Sequence, residues 1–188
     1  MARKASKTGP IYQLKITLEG VRPPIWRRLQ VRDCTLARLH AIIQTCMDWT
    51  NSHMHEFQVD GMHYGEPDPY GEMEFDGNEA QVKLSKLAAR GVKKFQYTYD
   101  FGDNWLHVVQ LEKIVDPEPG ATYPRCLTGK RSGPPEDCGG SWGYANLLKI
   151  LSDPKHKEHE DMSDWVPEDF NPETFDLDYI NDELKALA

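Results

Sequence analysis

The chain predicts an α+β fold: a single domain whose mainly antiparallel sheet is built from hairpins, with helices packed against it. Three observations carry this. Tyr12, Leu14, Ile16 and Leu18 alternate with Gln13, Lys15 and Thr17, the period-two pattern of a half-buried strand. Two later segments read as hairpins, which demand antiparallel pairing. Leu36, Leu39, Ile43, Cys46 and Met47 recur at helical spacing, with His40 on the same stripe. A length of 188 residues suits one domain with a real core, whereas two domains would each be small. The expected division is a flexible tail over 1–10 and one domain over 11–188.

The elements follow in order. Gly20 and Pro23-Pro24 end the first strand, and Ile25 to Val31 resumes alternation with Ile25, Leu29 and Val31 inward. Arg28 points outward, and Arg27 is read with it as a surface group. Thr35 is the expected N-cap of a helix through about Trp49. His53, His55, Phe57 and Val59 then share one strand face. Asp60-Gly61 is a two-residue hairpin turn that sets Met62 opposite Val59 and Tyr64 opposite Phe57.

Residues 65–80 read as a long Gly-, Pro- and acid-rich loop with one short strand near Met73–Phe75, and Val82–Arg90 as a strand end and a short helix. The second hairpin carries Phe95, Tyr97 and Tyr99, turns through DFGDN at 100–104, and returns with Trp105, His107, Val109 and Leu111 on one face. The segment 126–144 (CLTGKRSGPPEDCGGSWGY) reads as a shaped loop throughout, because Pro removes donors and Gly permits unusual backbone. Ser141 or Gly140 then opens a helix with Tyr144, Leu147, Leu148 and Leu151, Asp153-Pro154 opens a further short one, and Leu177–Leu187 is a last acidic helix.

Composition narrows the function classes. Net charge is −8, unevenly spread: residues 1–32 sum to +7 and residues 116–188 to −9. The basic start suits phosphate contacts, and the acidic end argues against nucleic acid wrapping the whole molecule. No apolar window is long enough for a spanning helix and no apolar segment follows the basic N-terminus, so a cytoplasmic protein without membrane association is expected. Four cysteines without a CxxC pair point to reduced thiols rather than a zinc ribbon.

Candidate site residues fall into four groups. His53 and His55, at i and i+2 of a strand, present two imidazoles to one side, and Asp100, Asp103, His107, Cys126 and Cys138 could complete a metal site. Gly139-Gly140-Ser141 could hold an anion at a helix start, although Glu136 and Asp137 oppose it, and Asp137 or Ser141 reads more simply as a cap. The acids Asp100, Asp103, Glu136 and Asp137 could do acid/base work. Trp26, Arg27, Arg28, Tyr97, Tyr99 and Trp105 combine aromatic and basic groups suited to stacking on bases or gripping a peptide. A P-loop is absent from the sequence, and GGSWG at 139–143, although it has GxSxG spacing, follows a segment read as loop rather than a strand, so Ser141 is not read as a nucleophile elbow.

Six segments together give a resemblance: YQLKITLEGVRPPIWRRLQV (12–31), LHAIIQTCMDWTNSHMHEF (39–57), YDFGDNWLHVVQLE (99–112), YPRCLTGKRSGPPEDCGGSWGY (123–144), DPKHKEH (153–159) and FNPETFD (170–176). The chain resembles the plasmid pRiA4b ORF-3-like family, some of whose members carry the labels transposon passenger or resolvase-like. The resemblance implies a single α+β domain, association with plasmids or mobile elements, and no established biochemical activity. Relatives often carry cysteine just before the Pro-Pro-Glu-Asp element, where this chain has Gly133. The constellations of serine and tyrosine recombinases cannot be assembled from these residues.

The resulting expectation is a binding or accessory module, its ligand near the 126–141 loop and the 99–107 hairpin. Its candidate surface is Arg27, Arg28, His53, His55, Asp100, Asp103, Trp105, His107, Asp137 and Ser141. This reading assigns no cofactor, no catalytic residue and no metal ligand, and it allows a homo-oligomer. Two rivals stand beside it: a metal-dependent hydrolase or nuclease using some of His53, His55, Asp100, Asp103, His107 and Asp137, and a nucleic-acid adapter using the basic first 32 residues.

Overall fold

In the computed structural model, which describes residues 9–67, 71 and 73–188, the alternating segments assemble into one eight-stranded sheet. The strands are β1 (Ile11–Leu18), β2 (Trp26–Arg32), β3 (His55–Val59), β4 (Met62–Gly65), β5 (Gly77–Asn78), β6 (Lys94–Tyr99), β7 (Trp105–Val115) and β8 (Arg125–Lys130). Their order is β5-β4-β3-β6-β7-β1-β2-β8, antiparallel throughout except for the short β4–β5 pair. Both hairpins close as the sequence predicts: Val59 pairs with Met62 and Phe57 with Tyr64, while Tyr97 faces His107 and Tyr99 faces Trp105.

Five α-helices are present among the described residues: α1 (Leu36–Met47), α2 (Leu84–Ala89), α3 (Gly140–Leu151), α4 (His159–Trp165) and α5 (Leu177–Leu184). This is the α+β architecture expected. Thr35 caps α1, its side chain accepting from Arg38 N. The apolar stripe of α1 covers the sheet beside Leu14, Ile16, Leu29, Phe57 and Tyr97, all buried in one continuous core. Tyr144 of α3 meets Trp105 edge-on, and α5 lies against β8 and α1. No helix among the described residues is long and apolar enough to cross a membrane.

The opposite sheet face carries a polar network. Arg28 grips both carboxylate oxygens of Glu112, Gln13 donates to Glu112, Gln30 donates to Gln13, and Arg125 donates to Gln30. Residues with long polar side chains can line a half-solvated antiparallel face while the other face is apolar.

Four expectations need correction. Cys126–Lys130 is not loop but most of the edge strand β8, pairing with β2 from Trp26 to Gln30. One glycine at an edge strand proves compatible with pairing. The strand placed near Met73–Phe75 forms instead at Gly77–Asn78. The helix expected from Asp153-Pro154 begins only at His159, after turns. Arg27 is 2% exposed: it shares the inward face with Leu29 because the strand alternates through it, and a β-bulge against β8 interrupts the register just beyond Arg28. The tail expected over residues 1–10 lies outside the described residues apart from Gly9 and Pro10.

Candidate functional site

Three chain segments meet beside the C-terminal ends of β6 and α1. The first is the stretch from Trp49 to Met54 between α1 and β3. It is held by Asn51 N donating to Gln44 Oε1 and Ser52 N to Tyr99 Oη. The second is the turn after β6, where Asp100 takes a left-handed conformation with φ 56°. Asp tolerates this shape because its short side chain bonds locally. Asp100 Oδ1 accepts from Gly102 N and Asp103 N, while Asp100 N donates to Met54 O. The third is the Pro134–Gly139 loop. Trp49 Nε1 donates to Pro134 O, and Gly139 N donates to Asp103 Oδ2.

Glu136 anchors that third segment. It accepts from Tyr99 Oη and from both Thr50 N and Thr50 Oγ1. Burial alone would raise its pKa, but the bonds from Thr50 and Tyr99, with the nearby His53, hold it below the ordinary carboxylate value. On the other partner, burial and then the bond to Glu136 push the Tyr99 hydroxyl up, so it stays a donor. The loop is therefore fixed one residue before Asp137.

The three segments bring three ligand-type atoms together. His53 Nε2 lies 3.0 Å from Asp137 Oδ1 and 3.8 Å from Asp100 Oδ2, and the three donor atoms all lie within 4.8 Å of one another. Despite these distances Nε2 is buried and makes no hydrogen bond: the approach to Asp137 is close but misdirected for one. Two ligands of one ion, each about 2.1 Å from it at a tetrahedral angle, stand about 3.4 Å apart. The spacing admits a shared centre as well as an ion pair between His53 and Asp137. One imidazole and two carboxylates suit zinc, manganese or iron(II).

A cavity of about 710 Å³ adjoins His53, and His40, Asn51, Ser52, His55 and Glu79 also line it. His55 takes a separate part there. Its Nε2 pairs with Glu79 at 2.9 Å, and its ring stacks on His40 at 3.5 Å and 5°. His40 is held between Tyr97 Oη and Asn51 Oδ1, and burial, then His55, lower its pKa to about 4. The expectation that His53 and His55 face one ion is thus corrected: β3 begins only at His55, and the bend at His53 turns the two rings to different partners.

The other sequence candidates are placed as follows. Trp105 and His107 lie in the core, 1% and 0% exposed. Asp103 stitches the turn to Gly139. Ser141 sits beside the Gly20 turn and makes no side-chain cap, and neither does Asp137. Arg27 is buried and Arg28 is paired with Glu112. Cys126 and Cys138 stay outside the cluster, and burial pushes both thiols up, to about 11 and about 12. A Cβ at Gly133 would come within 2.0 Å of Met47 O, so any side chain at this position requires a different backbone path. Sequence reasoning missed Thr50, Tyr99 and Glu136 as the supports of Asp137, and Glu79 as the partner of His55. Exposed Met54, Phe101 and Trp142 flank the site along the chain.

A family model described as plasmid pRiA4b ORF-3-like protein matches residues 10–179. The uncharacterized protein y4hQ of Sinorhizobium fredii is 35% identical over 181 residues, covering 95% of this chain and 92% of that protein. The crystal structure of MM3350 from Methanosarcina mazei Go1, a protein of unknown function, superposes with a TM-score of 0.81. Its sequence is 42% identical, and the match covers 89% of this chain and 96% of that one.

Proposed function

The chain belongs to the plasmid pRiA4b ORF-3-like family, and from that premise we propose that it binds one divalent transition-metal ion through His53, Asp100 and Asp137 and hydrolyses a small polar substrate beside it. One observation carries the reading: a buried imidazole nitrogen without a hydrogen bond, facing two carboxylates from two other segments. Three protein ligands with room for water is the form of a catalytic rather than a structural centre. A metal there supplies a water acidified toward neutral pH and an electrophile for a carbonyl or phosphoryl oxygen.

The chain's own groups have distinct parts. Asp100 keeps Oδ1 on the two turn amides, which leaves Oδ2 directed at the site. Glu136 holds the loop that presents Asp137. The cavity beside His53 offers Asn51, Ser52 and Asn78 for orienting a substrate, and Glu79 with His55 as a carboxylate–imidazole pair on its wall. The setting on plasmids or mobile elements belongs to the proposal as context; the chemistry does not depend on it. The adapter reading draws no support from Arg27 and Arg28, one buried and the other in a bidentate ion pair.

Elemental analysis of untagged protein, with titration of zinc and manganese, tests this. One equivalent of metal is expected, with loss of about tenfold or more in affinity for His53→Ala and for Asp137→Asn. Dispersed weak binding that both variants retain would overturn it. Stoichiometric metal without turnover of p-nitrophenyl esters or phosphates would leave a metal-binding module in place of the hydrolase.

A further inference from the structure

A second cavity, of about 420 Å³, lies between the end of α1, the loop after β8 and the segment leading into α5, and none of His53, Asp100 and Asp137 lines it. Its size is that of a small-molecule site. Two guanidinium groups line it, Arg27 and Arg131. Arg27 is buried, and its hydrogen bonds go to three carbonyls, Cys46 O, Trp26 O and Lys130 O. No carboxylate among the described residues forms an ion pair with it, although Phe175 covers one face at 5.0 Å. Burial lowers its pKa from the ordinary arginine value; a buried cation without an acid is costly unless something else compensates it.

Arg131 has an acid but keeps one donor unsatisfied. Its side chain is 10% exposed and is ion-paired with Glu173, yet its Nη1 is buried and makes no hydrogen bond. Glu173 occupies the Nε–Nη2 edge of the guanidinium fork, which leaves Nη1 as the donor for an oxygen of a further carboxylate or phosphate. The left-handed backbone at Arg131, φ 68°, and the bonds from Ser132 to Pro172 O and Asn171 O hold this wall against the 171–173 segment. Around the cations stand Phe170 and Phe175, apolar surface for the body of a ligand. Asp48, Asp169 and Asp176 are exposed on the lining, which disfavours a polyanion such as a nucleic-acid backbone.

We propose that this cavity binds a small molecule with a single oxyanion head, its carboxylate or phosphate on Arg131 and in the field of Arg27, its apolar body between Phe170 and Phe175. The shared chemistry is one oxyanion head; benzoate and phenyl phosphate separate the two sources. The full chain, labelled to show arginine side-chain resonances, is titrated with each, with benzyl alcohol as the uncharged control and inorganic phosphate as the head alone.

Saturable shifts at Arg131 with benzoate or phenyl phosphate, and none with benzyl alcohol, are expected. Arg131→Gln should weaken binding about tenfold or more. Glu173→Gln, which removes the competing carboxylate, should instead strengthen it, a change that a purely structural arginine would not produce. Absence of saturation with both aromatic anions overturns the proposal, as does affinity unaltered by both variants. Should Arg131→Gln fail to fold, Glu173→Gln alone decides: tighter binding supports the site, and unchanged or weaker binding rejects it. The His53→Ala protein should bind the probes as the parent does, which separates this result from the fate of the metal reading.

Discussion

Glu136 uses both carboxylate oxygens on the protein, one on Tyr99 and one on Thr50, while its neighbour Asp137 faces His53. Adjacent acids in one sequence motif thus do different work, and the division can be tested. Glu136→Gln replaces one acceptor oxygen with a donor nitrogen: facing Thr50 it loses the bond from Thr50 N, and facing Tyr99 it makes the hydroxyl accept instead of donate, so either way the charge-assisted anchoring is lost. Stability should fall by about 1–2 kcal/mol, on the scale of a lost charged hydrogen bond, measured by urea unfolding. Metal affinity should fall too, because Asp137 loses its fixed base. A variant as stable as the parent with unaltered metal binding would show that the loop is held elsewhere. Glu136 was legible in the sequence only as an acid beside two prolines. Its role depends on Thr50 and Tyr99, residues 86 and 37 positions away.

The elements were more legible than the contacts between them. The Asp60-Gly61 turn and the alternation on each side fix the β3–β4 register outright, because a one-residue slip would turn Phe57 and Val59 out of the core. Thr35 announced α1 for a similarly local reason. The strand at Cys126–Lys130 was hidden because the glycines and prolines that follow it dominate the composition of its surroundings. Which of the six candidate ligands converge, His53, Asp100 and Asp137, was hidden for a different reason: each stands outside regular structure, at a bend, a turn and a loop. No periodicity reports on such positions. What places them is close packing, and α3 supplies a test of that. A Cβ on Gly143 would lie 1.8 Å from Cys138 O, so helix and loop touch backbone to backbone there. Gly143→Ala should push the 134–139 loop off α3, cost about 2 kcal/mol or more, and weaken metal binding together with stability. Crystallography or amide exchange across 134–140 would read the displacement; an undisturbed loop would contradict it.

Across the whole molecule, the core between α1 and the sheet is apolar toward β1 and β2 and polar near β3 and β6. His40, Gln44, Asn51 and Tyr97 form one hydrogen-bonded group there, and His107 lies close by, its ring against Trp49 and Tyr97. Burial lowers the pKa of both His40 and His107 to about 4. His55 adds to the effect at the first, and Arg27 at the second, partly offset by backbone bonds to Trp105 and Tyr97. Both rings are neutral in the folded and unfolded chain above the unfolded value of about 6.5. Between that value and about 4 the unfolded chain binds protons that the folded chain refuses, so stability must fall as the pH falls through this window. Each histidine contributes a slope of up to about 1.4 kcal/mol per pH unit, and the slope ends where the folded rings themselves protonate. Urea unfolding at pH 7.5, 6.5, 5.5 and 4.5 should show the loss. His107→Leu removes one of the two protonations from the unfolded state, so its slope in this window should be shallower by up to the contribution of one histidine, even if its stability at pH 7.5 is lower. A variant slope equal to the parent's would mean that His107 is protonated in the folded core, and the polar seam would then owe its acid sensitivity to His40 alone.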